Sequence, residues 1–247
     1  MTWRRIAGLR VVMSWPDTGN AYPPDPPPPG NSRARVAGIG GLALLVGGVV
    51  TIVVAIAAQV HAPQPAAAAR GVIGPAVRGA KGPSLRRSLP LSVDIPAIGV
   101  ESRLLRLGVN ADGAIQVPSL TTSAGEAAWF KYSATPGQIG ASVIEGHVDS
   151  YQGPAVFFRL GALRPGDTID VTLSDGVMAI FRVTGVREYL KTRFPADIIY
   201  GPTNYAALRL ITCGGAFDPA TGHYLSSTVV FASLASYRKV PHPATPA

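Results

Sequence analysis

The 247-residue sequence predicts an all-β domain, a closed or nearly closed barrel. Three observations carry that reading. Short apolar or alternating runs recur at fairly regular spacing through the second half of the chain. Turn signals separate them: Asn110-Ala111-Asp112-Gly113, Arg164-Pro165-Gly166-Asp167 and Ser174-Asp175-Gly176. Little helical periodicity lies between them, and no repeat of solenoid length is present.

In chain order, residues 1–35 form a polar, proline-rich tail expected on the cytoplasmic side. Its run Tyr22-Pro23-Pro24-Asp25-Pro26-Pro27-Pro28-Pro29-Gly30 has too few backbone donors for a helix or a central strand. Residues 36–58 carry no charge. As a helix this run is about 35 Å long at ~1.5 Å per residue, enough to cross a hydrocarbon core of about 30 Å. An uncleaved anchor is the expectation. A cleaved signal peptide, with Ala55-Ile56-Ala57 as its processing site, is the alternative. Arg4, Arg5, Arg10, Arg33 and Arg35 precede the span and Arg70 and Arg78 follow it. That asymmetry keeps the N-terminus inside and places the rest of the chain, as a single-pass membrane protein, outside. Residues 59–90 are rich in Ala, Pro and Gly without apolar periodicity, and read as a flexible stalk.

The folded domain spans 91–236, followed by a tail at 237–247. Leu91-Ser92-Val93-Asp94-Ile95 alternates with period two and stops at Pro96. Further strands are expected at 114–117, 141–145, 167–173, 177–184, 206–212 and 227–233. Short helical turns are expected at Pro154–Leu160 and Pro195–Ile199. The formal net charge is +8, but the basic residues are scattered, with no basic stripe interleaved with aromatics. Nucleic-acid binding is therefore not expected. The charge suits a life beside anionic lipid or an acidic cell wall.

Cys213 is the only cysteine and ends the run Ala207-Leu208-Arg209-Leu210-Ile211-Thr212. With no intramolecular disulfide available, it is either an inert buried thiol or a nucleophile. A nucleophilic thiol needs a group that takes and returns its proton, and histidine does so near neutral pH. Of four histidines, His61 lies in the stalk, His242 in the tail and His223 in a turn. His147 follows the strand-like run Val143-Ile144-Glu145, where rigid strand gives way to loop; it is either the base or a structural histidine. Acyl transfer also requires donors for the developing oxyanion. Backbone N–H groups near Gly214 and Gly215, or an arginine, would supply them. No Cys/His/Asp/Glu set has metal-ligand spacing, so neither a metal nor another cofactor is expected. A papain-like arrangement is disfavoured, because there the cysteine opens a helix and precedes its histidine.

These residues resemble a known family. Leu208-Arg209-Leu210-Ile211-Thr212-Cys213 is similar to the T/L-x-T-C signature of the sortases, and Glu145-Gly146-His147-Val148-Asp149 to their histidine segment. Further matches follow in order: Ile95-Pro96-Ala97-Ile98-Gly99-Val100, Gly153-Pro154-Ala155-Val156-Phe157-Phe158-Arg159-Leu160, Leu163-Arg164-Pro165-Gly166-Asp167 and Thr212-Cys213-Gly214-Gly215-Ala216-Phe217-Asp218. Together they resemble the class F sortases of high-GC Gram-positive bacteria across about residues 91–234. The resemblance implies an eight-stranded barrel and a cysteine transpeptidase. Cys213 would attack the backbone carbonyl of an LPxTG-type sorting motif on a secreted protein, with His147 as proton donor and acceptor. An amine, typically of a peptidoglycan precursor, would resolve the thioester.

One position departs from the pattern. The family places a catalytic arginine after the tyrosine of the following strand, and His223-Tyr224-Leu225-Ser226-Ser227-Thr228-Val229-Val230 has Leu225 there. Losing one oxyanion donor costs about 3 kcal/mol, or roughly 10²–10³ in rate. Arg159, Arg187 or Arg193 would be the replacement, or the enzyme is slow, or the domain binds sorting peptides on the cell surface without transferring them. Arg209 is not a candidate, since the family commonly has arginine there too.

Overall fold

The structure, a computed structural model, describes residues 61–71, 82–111 and 113–240. Its strands are β1 (Pro90–Ile95), β2 (Val100–Leu107), β3 (Ala127–Phe130), β4 (Gly140–Glu145), β5 (Asp149–Ser150), β6 (Gly153–Pro154), β7 (Thr168–Leu173), β8 (Val177–Leu190), β9 (Ala206–Asp218) and β10 (His223–Lys239). Eight of them close a barrel in the order β1-β2-β3-β4-β9-β10-β8-β7, while β5 and β6 pair separately. The eight-stranded barrel expected from the sequence is therefore present. It is a mixed barrel: β2 pairs β3, and β4 pairs β9, in parallel.

Strand alternation sorts the side chains into two layers. Ile144, Phe181, Leu208, Leu210 and Val230 point inward and join Trp129, Phe157 and Leu160 in the main core. The neighbours Val143, Ile211, Val229 and Phe231 point outward into a second cluster, roofed by Tyr189, Phe194, Ile199 and Tyr200. Phe194 closes the turn Lys191–Arg193, and Ile199 and Tyr200 lie on the short helix Ala196–Tyr200. Both surfaces of β9 are thus covered, so the chain reads as continuously apolar from Leu208 to Ile211, interrupted only by Arg209.

Several elements differ from expectation. At 114–117 there is only a bridge, Val109 to Ile115. The expected helical turn at Pro154–Leu160 shrinks to a 3-10 turn at Leu160–Ala162, whereas a helix does form at Ala196–Tyr200. β2 and β3 are additional to the expected strands, and β10 runs to Lys239, three residues into the expected tail.

The apolar segment 36–58 and the tail before it lie outside the described residues. Among the described residues no helix is long and apolar enough to cross a membrane. Two pieces of the expected stalk pack on the barrel. Ala69 is 1% exposed and joins the main core. Leu85 N–H donates to Gly137 O at 2.8 Å, and Ser88 Oγ lies 3.2 Å from Ser174 Oγ.

Candidate active site

The parallel register of β4 and β9 runs from Gly140↔Ala206 to Glu145↔Ile211. Gly146 N–H extends it by donating to Ile211 O at 3.1 Å. Two residues beyond Glu145 and Ile211 are His147 and Cys213. Parallel strands advance at the same rise, so the register brings both residues to the same end of the β4–β9 pair. Cys213 is still within β9 and opposite Ser227 of β10. Its half-buried side chain shares the outward face of Ile211. The charge of Asp149 acts on both groups.

His147 is 5% exposed. Its Nε2 lies 2.6 Å from Pro118 O. A carbonyl only accepts, so Nε2 carries the proton, and Nδ1 is the nitrogen whose proton comes and goes. Burial lowers the imidazole pKa below its usual value; the Pro118 bond and the Asp149 charge oppose that shift. Asp149 is itself held by the Tyr224 hydroxyl, which donates to it, and Tyr224 packs edge-on against Phe217 at 5.2 Å. Phe157 N–H donates to His147 O at 2.9 Å and pins the histidine backbone.

The Cys213 thiol is pushed up to about 11, chiefly by burial. The charge of Lys191 opposes this rise, and the charges of Asp149 and Glu145 add to it. At neutral pH the sulfur is therefore almost wholly protonated, and attack requires a group that accepts the proton. Glu145, 2% exposed, accepts a 3.0 Å hydrogen bond from Tyr200 Oη. Burial raises this carboxyl to about 7, and the tyrosine bond works against the rise.

Beyond Cys213 the β9–β10 ladder is bulged: Gly214 pairs Ser226, and Phe217 pairs Tyr224. Gly215 and Ala216 thus oppose the single residue Leu225. Gly215 takes φ +75°, which a side chain rarely adopts, as in bulges with a left-handed first residue. A Cβ on Gly214 would lie 2.5 Å from Thr228 Oγ1. Leu225 is 48% exposed and lies two residues before Ser227, on the Cys213 face. Among the described residues, no three His, Cys, Asp or Glu side chains are grouped as metal ligands.

The sortase domain matches residues 93–235, more than half of the chain. The chain belongs to the sortase family. No curated protein matches it. Among solved structures, sortase A of Listeria monocytogenes is 18% identical over 63% of this chain and 92% of its own, at a TM-score of 0.46. The sortase SrtA of Actinomyces oris is 18% identical over 70% and 89%, at 0.45. The sortase D5 transpeptidase of Clostridium perfringens is 19% identical over 60% and 79%, at 0.43. Sortases are cysteine transpeptidases that act on sorting-signal substrates and amine nucleophiles.

In this sortase, of the three arginines considered for the oxyanion, Arg187 is engaged elsewhere and Arg159 and Arg193 are exposed. Arg187 Nη2 donates to Gly71 O at 3.0 Å. Arg159 lines a cleft of about 260 Å³ with Glu101, Val156 and Phe158. Arg193 is exposed. Arg209, 1% exposed, donates to Leu208 O at 3.1 Å and Tyr205 Oη at 3.3 Å, with its guanidinium 4.7 Å from the Phe231 ring centroid. The sequence does not single out Lys191, which lies outside the segments that resemble the family's motifs. Glu145 and Asp149 were visible as part of the histidine segment, but only the fold shows their charges acting on the thiol.

Proposed function

We propose that this sortase is a membrane-anchored cysteine transpeptidase of the class F type. Cys213 is the nucleophile and His147 the proton donor and acceptor. The observation that supports it most is the β4–β9 register, which carries the chain to His147 and Cys213 at the same end of the strand pair, with the charge of Asp149 acting on both.

Cys213 attacks the scissile carbonyl of an LPxTG-type sorting motif as His147 Nδ1 takes the thiol proton. The tetrahedral intermediate collapses to a thioester, and the proton passes to the leaving amine. A cell-wall amine then attacks the thioester and returns the thiol, with water as the slower substitute. Backbone N–H groups at Gly214 and the Gly215-Ala216 bulge are suited to donate to the oxyanion. Leu225 occupies the position the class F pattern gives to arginine and contributes no donor. The uncharged segment 36–58 anchors the enzyme, with the catalytic domain outside the cell.

The test is turnover of an LPxTG-type peptide panel with a small amine as acceptor. The wild type should form a thioester visible by intact mass, absent in Cys213→Ala. His147→Ala should lower kcat/KM by ~10²–10⁴, the usual contribution of positioned proton transfer. Identical behaviour of wild type and Cys213→Ala across the panel would sink the reading.

A further inference from the structure

The antiparallel ladder of β10 with β8 pairs Ser227 with Tyr189 and ends at Ser226↔Leu190. The same register, continued by one residue, sets Lys191 opposite Leu225. Directly opposed residues have Cβ atoms about 4.5–5.5 Å apart, within the reach of a lysine stem. Cys213 stands on the far side of β10, opposite the same Ser227. This position puts Lys191 at the end of β8, across β10 from the end of β9 that carries Cys213, and the Lys191 charge acts on the thiol. Lys191 is half-buried at the start of the turn that leads to the roofing residues Phe194 and Tyr200, so it lies where the outward face opens to solvent.

We propose that Lys191 supplies the active-site cation that Leu225 does not, transferred from β10 to the facing position at the end of β8. In the resting enzyme its charge offsets part of the cost of ionising the buried thiol, which eases transfer of the thiol proton to His147. During acyl transfer the same charge stabilises the oxyanion next to that sulfur. This second role rests on the transpeptidase reading above; the first does not.

The replacement is not equivalent. Arginine offers five donors in a planar fork, whereas lysine is a compact point charge with three rotatable ones. Lysine therefore supplies charge without fixing the carbonyl oxygen in a plane, and the bulge amides retain the directional part of the site. Asp149 and Glu145 oppose Lys191 at the thiol, so the cation offsets a local negative field as well as burial.

The experiment compares wild type, Lys191→Gln and Lys191→Arg by iodoacetamide alkylation of Cys213 from pH 6 to 10 and by peptide turnover. Thermal melts confirm that each variant is folded. Alkylation reads the thiolate, which is the reactive form. Lys191→Gln should slow alkylation about tenfold near neutral pH and move its profile to higher pH, a shift of ~1 unit. Lys191→Arg should stay within about threefold of wild type. Turnover should fall ~10-fold or more in Lys191→Gln and largely survive in Lys191→Arg. Wild-type alkylation across the whole range by Lys191→Gln overturns the proposal. So does an arginine variant as slow as the glutamine one, because packing rather than charge would then be responsible. Absence of turnover in all three proteins sinks the transpeptidase reading instead, and the alkylation profiles still decide whether Lys191 holds the thiolate.

Discussion

Glu145 sets a pH limit on this site. It is buried on the strand next to Cys213, and burial holds its carboxyl at about 7, with the Tyr200 hydroxyl lowering it from a still higher value. An unfolded glutamate titrates near 4.5. Below that pH both states carry the proton and Glu145 costs nothing. Between 4.5 and 7 the unfolded chain ionises while the folded chain does not, so stability falls as pH rises, at about 1.4 kcal/mol per unit of difference. Above 7 the loss is complete. Glu145→Gln keeps an oxygen for Tyr200 Oη and removes the titration. Urea melts should show the wild type losing ~2–3 kcal/mol relative to Glu145→Gln between pH 4.5 and 7.5. Parallel curves for the two proteins would place the titration elsewhere. The same ionisation raises the Cys213 thiol, so the charge gained by Glu145 on going to alkaline pH opposes formation of the thiolate.

At the scale of elements, the β4–β9 pair and the loop behind it locate His147. Gly146 makes this fit possible, since a Cβ there would lie 2.6 Å from Val156 Cγ1 and 2.7 Å from Phe157 Cδ2. Phe157 is fully buried, and its N–H holds His147 O, so neither neighbour yields without moving the histidine. Gly146→Ala should cost ~1–3 kcal/mol by overpacking, seen in a denaturant melt. It should also lower turnover more than its stability loss explains, because the displaced loop carries His147, the proposed base. An unchanged melt and unchanged turnover would show that the loop has slack. The long strands β8, β9 and β10 and the helix Ala196–Tyr200 were readable because apolar runs and turn residues bound them. β2 was not. Its inward position Ser102 is polar and breaks the alternation of Val100 and Leu104. Ser102 Oγ accepts from Ala127 N–H at 2.9 Å and donates to Arg103 O at 2.7 Å, a use that only the β2–β3 pairing reveals. β3 is four residues long and mostly buried, so no periodicity can show. Cys213 and His147 could be singled out because their residue types are scarce. Lys191 could not, since its position opposite Leu225 follows from a register that the sequence does not display.

At the scale of the whole molecule, the barrel does not end at β1. The segment before it lies along β8, where Arg187 donates to Gly71 O and Ala69 is enclosed in the main core. Gly71 adopts φ +45°, and a Cβ there would fall 1.9 Å from Thr184 O, so glycine is required for the chain to lie so close. An Ala- and Gly-rich composition therefore serves close packing here as well as chain freedom, which is why reading it as a stalk captures only part of its role. Little apolar area is at stake in one alanine, and the barrel's core closes around larger side chains such as Phe157, Phe181 and Trp129. Ala69→Asp should therefore release the segment rather than unfold the barrel, because an unpaired carboxylate is expelled to water at less cost than it is buried. Limited proteolysis should then cut within 61–71 in Ala69→Asp and leave a protected fragment beginning near β1. The wild type should resist cleavage there, and Cys213 alkylation should be unchanged if the site is independent of this strap. Equal protection of the two proteins would mean that the segment tolerates the charge in place, and its burial would then contribute nothing to the fold.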